Sequence, residues 1–94
     1  MNPIRTLKFV RLDGTVYAYP RAHLRWLVLV SEIEIEVGFS SEVIVLQTRL
    51  GGDLGPLFQR LAAGTPDEVR EVDERHALDG CSVIRITSRE HSPE

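Results

Sequence analysis

The chain has 94 residues, a net charge of −3 and 43% hydrophobic residues, which suits one small domain with its own core. Its pI near 5.6 argues against the basic footprint of a nucleic-acid-binding domain. No apolar run approaches the roughly 18 residues of a membrane span. A lone cysteine, Cys81, cannot form an internal disulfide. These features predict a cytoplasmic protein without a membrane segment.

A β-hairpin is predicted at the start of the chain. Strand-like segments 7–12 and 15–19 flank Asp13-Gly14, and Asp-Gly in such a position is the strongest short hairpin signal. We expect a two-residue type I′ turn there, with positive φ at both positions. Pro20 is expected to end the second strand because it has no N–H to donate. A short turn or a single helical turn should follow.

The middle of the chain alternates with a period of two, which is typical of strands with one buried face. A strand from Leu24 is expected to turn back at Ser31-Glu32, with one long bent strand as the alternative. Gly38 predicts a bulge or a close approach in the strand that follows. Segment 42–48 is apolar on both faces, which predicts a central strand. In the first of these strands the alternation places Leu24, Trp26, Val28 and Val30 on one face and Arg25, Leu27 and Leu29 on the other. In the second it turns Ile33, Ile35, Val37 and Phe39 inward.

One helix is predicted in the second half. Its apolar stripe recurs at i, i+3, i+4 and i+7 and consists of Leu54, Leu57, Phe58 and Leu61. Pro56 suits its first turn and Gly64 its end. The following segment has too few apolar residues for a second helix, so we favour a short edge strand at 68–73. A last strand is expected at 82–87, followed by a polar tail at 88–94.

These elements predict a single α+β domain over residues 1–87. Its core is an antiparallel β-meander of about five to seven strands, curved or partly closed, with one amphipathic helix packed on it. Basic residues dominate positions 1–30, and glutamates dominate positions 31–48. We therefore expect the glutamates to lie opposite the arginines of the first hairpin.

No metal or cofactor is predicted. The histidines lie far apart at 23, 76 and 91, without the spacing of a metal site. Gly51-Gly52-x-x-Gly55 precedes a helix, as in phosphate-binding loops, but the Lys-Ser/Thr of a P-loop is missing. Turn formation and helix capping explain these glycines.

Thiol catalysis is the least favoured functional hypothesis. Cys81 with His76 as base and Asp73 or Asp79 as orienting carboxylate would have the required residue types. A free cysteine that opens an apolar strand is more often part of a core.

The favoured function is a non-enzymatic interaction or accessory module whose partner is a second copy of the chain, forming a homodimer, or another protein. The expected partner-binding face consists of Leu27, Leu29, Ile44 and Leu46, provided that the helix leaves them uncovered. The alternative is a nucleic-acid-binding domain, in which aromatic rings stack on bases and cations bind the backbone. Its candidate residues are Arg11, Tyr17, Tyr19, Arg21 and Arg25.

Overall fold

The structure, a computed structural model, describes residues 5–76 and 82–90. Within these residues the chain forms seven β-strands, one α-helix and two 3-10 turns. In chain order the strands are β1 (Thr6–Val10), β2 (Val16–Pro20), β3 (Leu24–Ser31), β4 (Glu34–Phe39), β5 (Glu42–Gln47), β6 (Glu68–Arg70) and β7 (Arg85–Glu90). Helix α1 (Gly55–Ala62) lies between β5 and β6, and the 3-10 turns cover Arg21–His23 and Glu74–His76.

The strands form two sheets, with orders β2-β1-β6 and β3-β4-β5-β7. The predicted α+β class with one helix is confirmed, and so is the central position of β5. The strands do not form a single meander, because the first hairpin belongs to a different sheet from strands β3, β4, β5 and β7. Strand β6 pairs in parallel with β1, placing Val69 opposite Phe9, whereas every other pairing between the described strands is antiparallel.

The first hairpin forms at the predicted place with a different turn. The Gly14 N–H donates to Arg11 O at 3.0 Å, and the Arg11 N–H donates to Thr15 O at 2.8 Å. Gly14 has a φ of 92°, whereas Asp13 keeps a negative φ. This is a type I turn followed by a left-handed glycine, the usual three-residue hairpin loop, and not a type I′ turn. Pro20 ends β2 as predicted.

Both sheets and the helix share one hydrophobic core. The first sheet contributes Leu7, Phe9 and Val69, the second contributes Ile35, Val37, Phe39, Ile44, Leu46 and Ile86, and the helical segment contributes Leu54, Leu57 and Leu61. The helix begins where the Asp53 carboxylate accepts the Gly55 N–H at 2.9 Å, and Gly64 follows its end with a φ of 91°. The amphipathic stripe thus packs as its spacing predicts.

A bulge in β3 changes which of its side chains share a face. The pairing of β3 with β4 shifts between Leu24 and Trp26 and again between Leu29 and Ser31. Because a bulge inserts one residue, Leu24 joins Leu27 on the core side, and Trp26 lies on the opposite side. The prediction that Leu24 and Trp26 share a face is therefore wrong.

The charge pattern predicted that the glutamates of β4 would lie opposite the arginines of the hairpin. That prediction is wrong. The Glu36 carboxylate accepts a hydrogen bond from Arg89 at 2.6 Å, and Glu34 accepts one from Gln47 at 2.9 Å. Arg5 and Arg21, which flank the hairpin, bind Asp67 instead. The reason is topological, since hairpin and glutamates belong to different sheets.

The last strand is shifted towards the carboxyl terminus. It begins at Arg85 and extends to Glu90, so residues 88–90 belong to the sheet and not to the predicted tail. Residues 91–94 lie outside the described part of the chain. Among the described helices, none has the length and apolar character that crossing a bilayer would require.

Candidate functional site

Strand β3 is an outer strand of its sheet and carries an apolar run. It pairs with β4 on one side only and has eight residues. Three consecutive residues are well exposed: Val28 at 42%, Leu29 at 37% and Val30 at 49%. We call the unpaired side of residues 24–31, with these exposed side chains, the β3 edge. A long apolar strand with an unpaired side is a template for pairing with another chain.

The main-chain groups of the β3 edge alternate in direction. The Thr48 N–H donates to Ile33 O at 3.0 Å, which extends the β4–β5 register one residue beyond the Glu34–Gln47 pair and places the Ile33 carbonyl on the β5 side. By alternation, Glu36 and Gly38 then direct their main-chain groups to their register partners in β3, Val28 and Trp26. Leu27 and Leu29 between them direct their N–H and C=O groups away from β4, so these groups are the ones open to a new strand.

The two faces of β3 differ in their surroundings. On the core face, Leu27 packs against the hydrophobic core, while Leu29 lies at the rim. On the outer face, the indole of Trp26 covers Gly38, so that any side chain at Gly38 would overlap it. Val43, the register partner of Gly38 on β5, is buried. The Trp26 ring is thus turned over its own sheet, away from the unpaired side of β3.

Opposite charges lie at the two ends of the β3 edge. Arg25 is exposed at the start of the strand, and its guanidinium donates to the Ser40 hydroxyl at 3.3 Å. Glu32 is exposed in the turn that follows the strand. Neither side chain forms an ion pair with another described residue. The edge therefore presents a cation, an apolar run and an anion in that order.

The other outer strands are protected in ways that β3 lacks. Strand β7, at the far side of the same sheet, carries Arg85, Arg89 and Glu90. Strand β2 ends in Pro20, and β6 has only three residues, two of them charged. Charges, proline and short length are the devices that keep outer strands from pairing. Among the described strands, β3 alone is long, apolar and unpaired on one side.

The four residues of the predicted partner-binding face do lie on one face, but it is the core face. Ile44 and Leu46 are fully buried, and Leu27 packs on the core. Leu29 is the only member of the four that is well exposed. The condition attached to the prediction is therefore not met, since the core covers most of the set.

The residues considered for nucleic-acid binding do not line one groove. The Tyr19 ring stacks on Phe39 at 4.1 Å, and its hydroxyl donates to the Glu42 carboxylate at 2.7 Å. Burial, followed by this hydrogen bond, raises the pKa of Tyr19 above its ordinary value. Arg21 binds Asp67 and the Pro66 carbonyl.

The other three candidates lie apart from that cluster. Tyr17 packs against the core. Its hydroxyl and the Asp13 carboxylate raise the pKa of Arg11. Arg25 lies in the other sheet. Both tyrosine rings thus serve packing, and at least two of the cations are held by contacts within the chain.

The components of the thiol hypothesis are described only in part. Cys81 and Asp79 lie outside the described residues. Asp73 accepts hydrogen bonds from Arg75 at 3.0 Å and 3.4 Å. Between residues 5 and 76 and between 82 and 90, no group of three potential metal ligands comes together.

Shallow clefts lie at two places in the described part of the chain. One of about 310 Å³ lies between α1 and β6 and is lined by Leu57, Arg60, Val69 and Val83, among others. The other, of about 320 Å³, lies where β5 and β7 meet and is lined by Ser41, Glu42, Ser88, Arg89 and Glu90. Glu42 already accepts the Tyr19 hydroxyl, and Arg89 already binds Glu36.

Comparison with known proteins finds no matching family model, no matching curated protein and no matching solved structure. The β3 edge was missed in the sequence because strand order is not encoded locally. The available signal was the run from Trp26 to Val30, which contains no charge and no proline. Such a run is typical of a buried strand, and only the sheet order shows that it is an outer one.

Proposed function

We propose that this chain is a non-enzymatic protein-interaction module that binds its partner by strand addition at the β3 edge. In this mode an extended segment joins a sheet as a further strand, with main-chain hydrogen bonds for affinity and side-chain contacts for specificity. The observation that carries the proposal is the combination of exposed Val28, Leu29 and Val30 with the open main-chain groups of Leu27 and Leu29.

The distribution of protection among the strands supports this proposal. An unprotected apolar strand is an aggregation hazard, so outer strands are normally short, charged or interrupted by proline. Here β2, β6 and β7 have such features, and β3 does not. Exposed contiguous apolar surface of this kind commonly marks an interaction site.

The use of polar side chains elsewhere supports a non-enzymatic role. Tyr19 and Glu42 join strands of the two sheets, and Glu71 accepts hydrogen bonds from backbone N–H groups of Leu12 and Ile86. Asp67 is held by arginines from the hairpin region. These groups connect elements of the chain to one another, whereas a reactive site would direct them to a common cleft.

Peptide selection followed by NMR tests the proposal. Random peptides displayed on phage are selected on the immobilised chain, and the binders are titrated into isotope-labelled protein. We expect the largest amide shifts at Leu27 and Leu29. Peptides that bind only in the cleft between α1 and β6 would contradict the proposal, and so would a failure to select any binder on a chain that is monomeric.

A proline variant provides the matched control. Leu29→Pro removes an N–H that faces away from β4, so the bonds between β3 and β4 are retained. We expect this variant to stay folded and to lose peptide binding by at least about tenfold. Leu29→Ala keeps the N–H and should retain most of the binding. Near-ultraviolet circular dichroism confirms that both variants are folded.

A further inference from the structure

We infer that the partner at the β3 edge is a second copy of this chain, paired antiparallel about a two-fold axis that passes Val28. The inference rests on the proposed role of the β3 edge. It follows from three properties of that edge, namely its main-chain directions, its side-chain faces and its terminal charges. Each property is self-complementary under the same rotation, as a two-fold interface requires.

The main-chain groups fit this register. Leu27 and Leu29 direct their N–H and C=O groups outward, and Val28 between them directs its groups to β4. A two-fold axis at Val28 places Leu27 opposite Leu29 of the second copy, and the reverse. An antiparallel pair of this type exchanges both N–H···O bonds between facing residues. The open groups of both leucines are then satisfied.

The side chains match as well. On the outer face, Val28 meets its own copy within the segment between the two bulges of β3, where the pairing is regular. On the core face, Leu27 and Leu29 of the two copies form neighbouring cross-strand pairs. The residues exposed on β3 are thus covered by residues of the same kind. A shift by one residue would place core-side leucines opposite outer-face valines and is excluded by the pleat.

The charges select the antiparallel direction. Both bulges lie outside this regular segment, and Arg25 at the start of one strand comes near Glu32 at the end of the other, with the symmetric contact at the opposite end. A parallel partner in the same register would instead place Arg25 beside Arg25 of the second copy and Glu32 beside Glu32. Both side chains are exposed and lack an ion-pair partner among the described residues. Opposite charges across neighbouring strands stabilise a pairing, and like charges destabilise it.

The dimer extends one sheet from four strands to a continuous sheet across both copies. Strand pairing of this length buries less surface than the roughly 1,200 Å² at the lower end of stable interfaces. We therefore expect reversible association in the micromolar range. Trp26, the single tryptophan, lies close to the new contact and provides an intrinsic fluorescence signal for it.

Charge reversal with analytical ultracentrifugation tests the inference. Arg25→Glu and Glu32→Arg each turn both intermolecular ion pairs repulsive, so each variant alone should dimerise about tenfold more weakly. The double variant restores both pairs with reversed polarity and should dimerise like the unchanged chain. A mixture of the two single variants should form heterodimers in preference to either homodimer. High salt should reduce all of these differences.

The outcomes separate this inference from the proposed function. A dimer that ignores the charge reversals, or shows no preference for heterodimers, uses another interface or register and overturns the inference. A chain that stays monomeric at all concentrations but binds selected peptides at Leu27 and Leu29 also overturns it, while the proposed function stands. A monomer that binds no peptide at the β3 edge contradicts both.

Discussion

The indole of Trp26 occupies the space above Gly38 that a side chain on the neighbouring strand would need. Trp26 and Gly38 are register partners on the outer face of the second sheet. Gly38→Ala must therefore displace the ring, and we expect a loss of about 1–3 kcal/mol in the free energy of unfolding, as for other overpacked sites. Chemical denaturation followed by Trp26 fluorescence measures it.

A double-mutant cycle checks that the loss comes from this pair. In a Trp26→Ala background, Gly38→Ala meets open space and should be neutral or slightly stabilising, because alanine is less flexible than glycine in the unfolded chain. An equal loss in both backgrounds would mean that the strain at Gly38 has another origin.

Glu71 links the hairpin turn to β7 and should contribute more to the free energy of unfolding than an exposed glutamate does. Its carboxylate accepts the Leu12 N–H at 2.9 Å and the Ile86 N–H at 2.7 Å. Glu71→Gln presents an amide N–H₂ to one of these donors, so we expect a loss of about 1–3 kcal/mol in unfolding free energy. Glu74→Gln, on an exposed residue, is the control and should change stability by less than about 0.5 kcal/mol. Equal effects would exclude the bridging role.

The Tyr19–Glu42 hydrogen bond should limit stability at alkaline pH. Because burial and the Glu42 carboxylate raise the pKa of Tyr19 in the folded state, the folded chain holds this proton more tightly than the unfolded chain. This contribution is fully present below the ordinary tyrosine pKa of about 10, and it is lost as the pH rises above that value towards the folded pKa.

Tyr19→Phe isolates the alkaline effect. The variant should lose about 1 kcal/mol at neutral pH, since the hydrogen bond to Glu42 is gone. Its stability should then fall less steeply than that of the unchanged chain above about pH 10. Denaturant midpoints measured across the alkaline range give both quantities. Parallel curves for the two proteins would contradict this role of Tyr19.

Asp67 should contribute to the loss of stability in acid. The hydrogen bond from Arg5 at 2.5 Å and the neighbouring Arg21 hold the pKa of Asp67 below its usual value. A lowered carboxyl pKa stabilises the fold above the unfolded pKa of about 3.9, and the effect disappears as the pH falls through the folded pKa. Asp67→Asn should therefore be less stable at neutral pH and show a flatter acid limb in pH-dependent denaturation.

Amide exchange gives a register test of the β3 edge within one molecule. In dilute solution the amide protons of Leu27 and Leu29 should exchange quickly, while those of Trp26 and Val28, which face β4, should be protected. Raising the protein concentration should slow exchange at Leu27 and Leu29 alone. NMR-detected hydrogen exchange resolves all four amides. Protection of Leu27 and Leu29 at every dilution would contradict the open edge.

Local features of the sequence determined the local structure. The period-two alternation predicted β4 and β5, Asp13-Gly14 predicted the hairpin, and the leucine stripe predicted α1, because each of these depends on residues close in the chain. The close approach at Gly38 was also predictable, although its partner was not. The type of the hairpin turn differed, because a three-residue loop satisfies the same Asp-Gly signal.

Only the tertiary structure decided which strands lie at the outside and which polar groups meet. Ile44 and Leu46 differ little in kind from Leu29, yet the former are buried and the latter is exposed, because sheet order and helix placement depend on long-range packing. The bulge at Arg25 moved Leu24 to the face of Leu27, since one inserted residue changes the phase of a period-two pattern. By itself the sequence thus determined that Trp26 to Val30 is an apolar strand. The order of the sheet, set by contacts far apart in the chain, left that strand open to a partner.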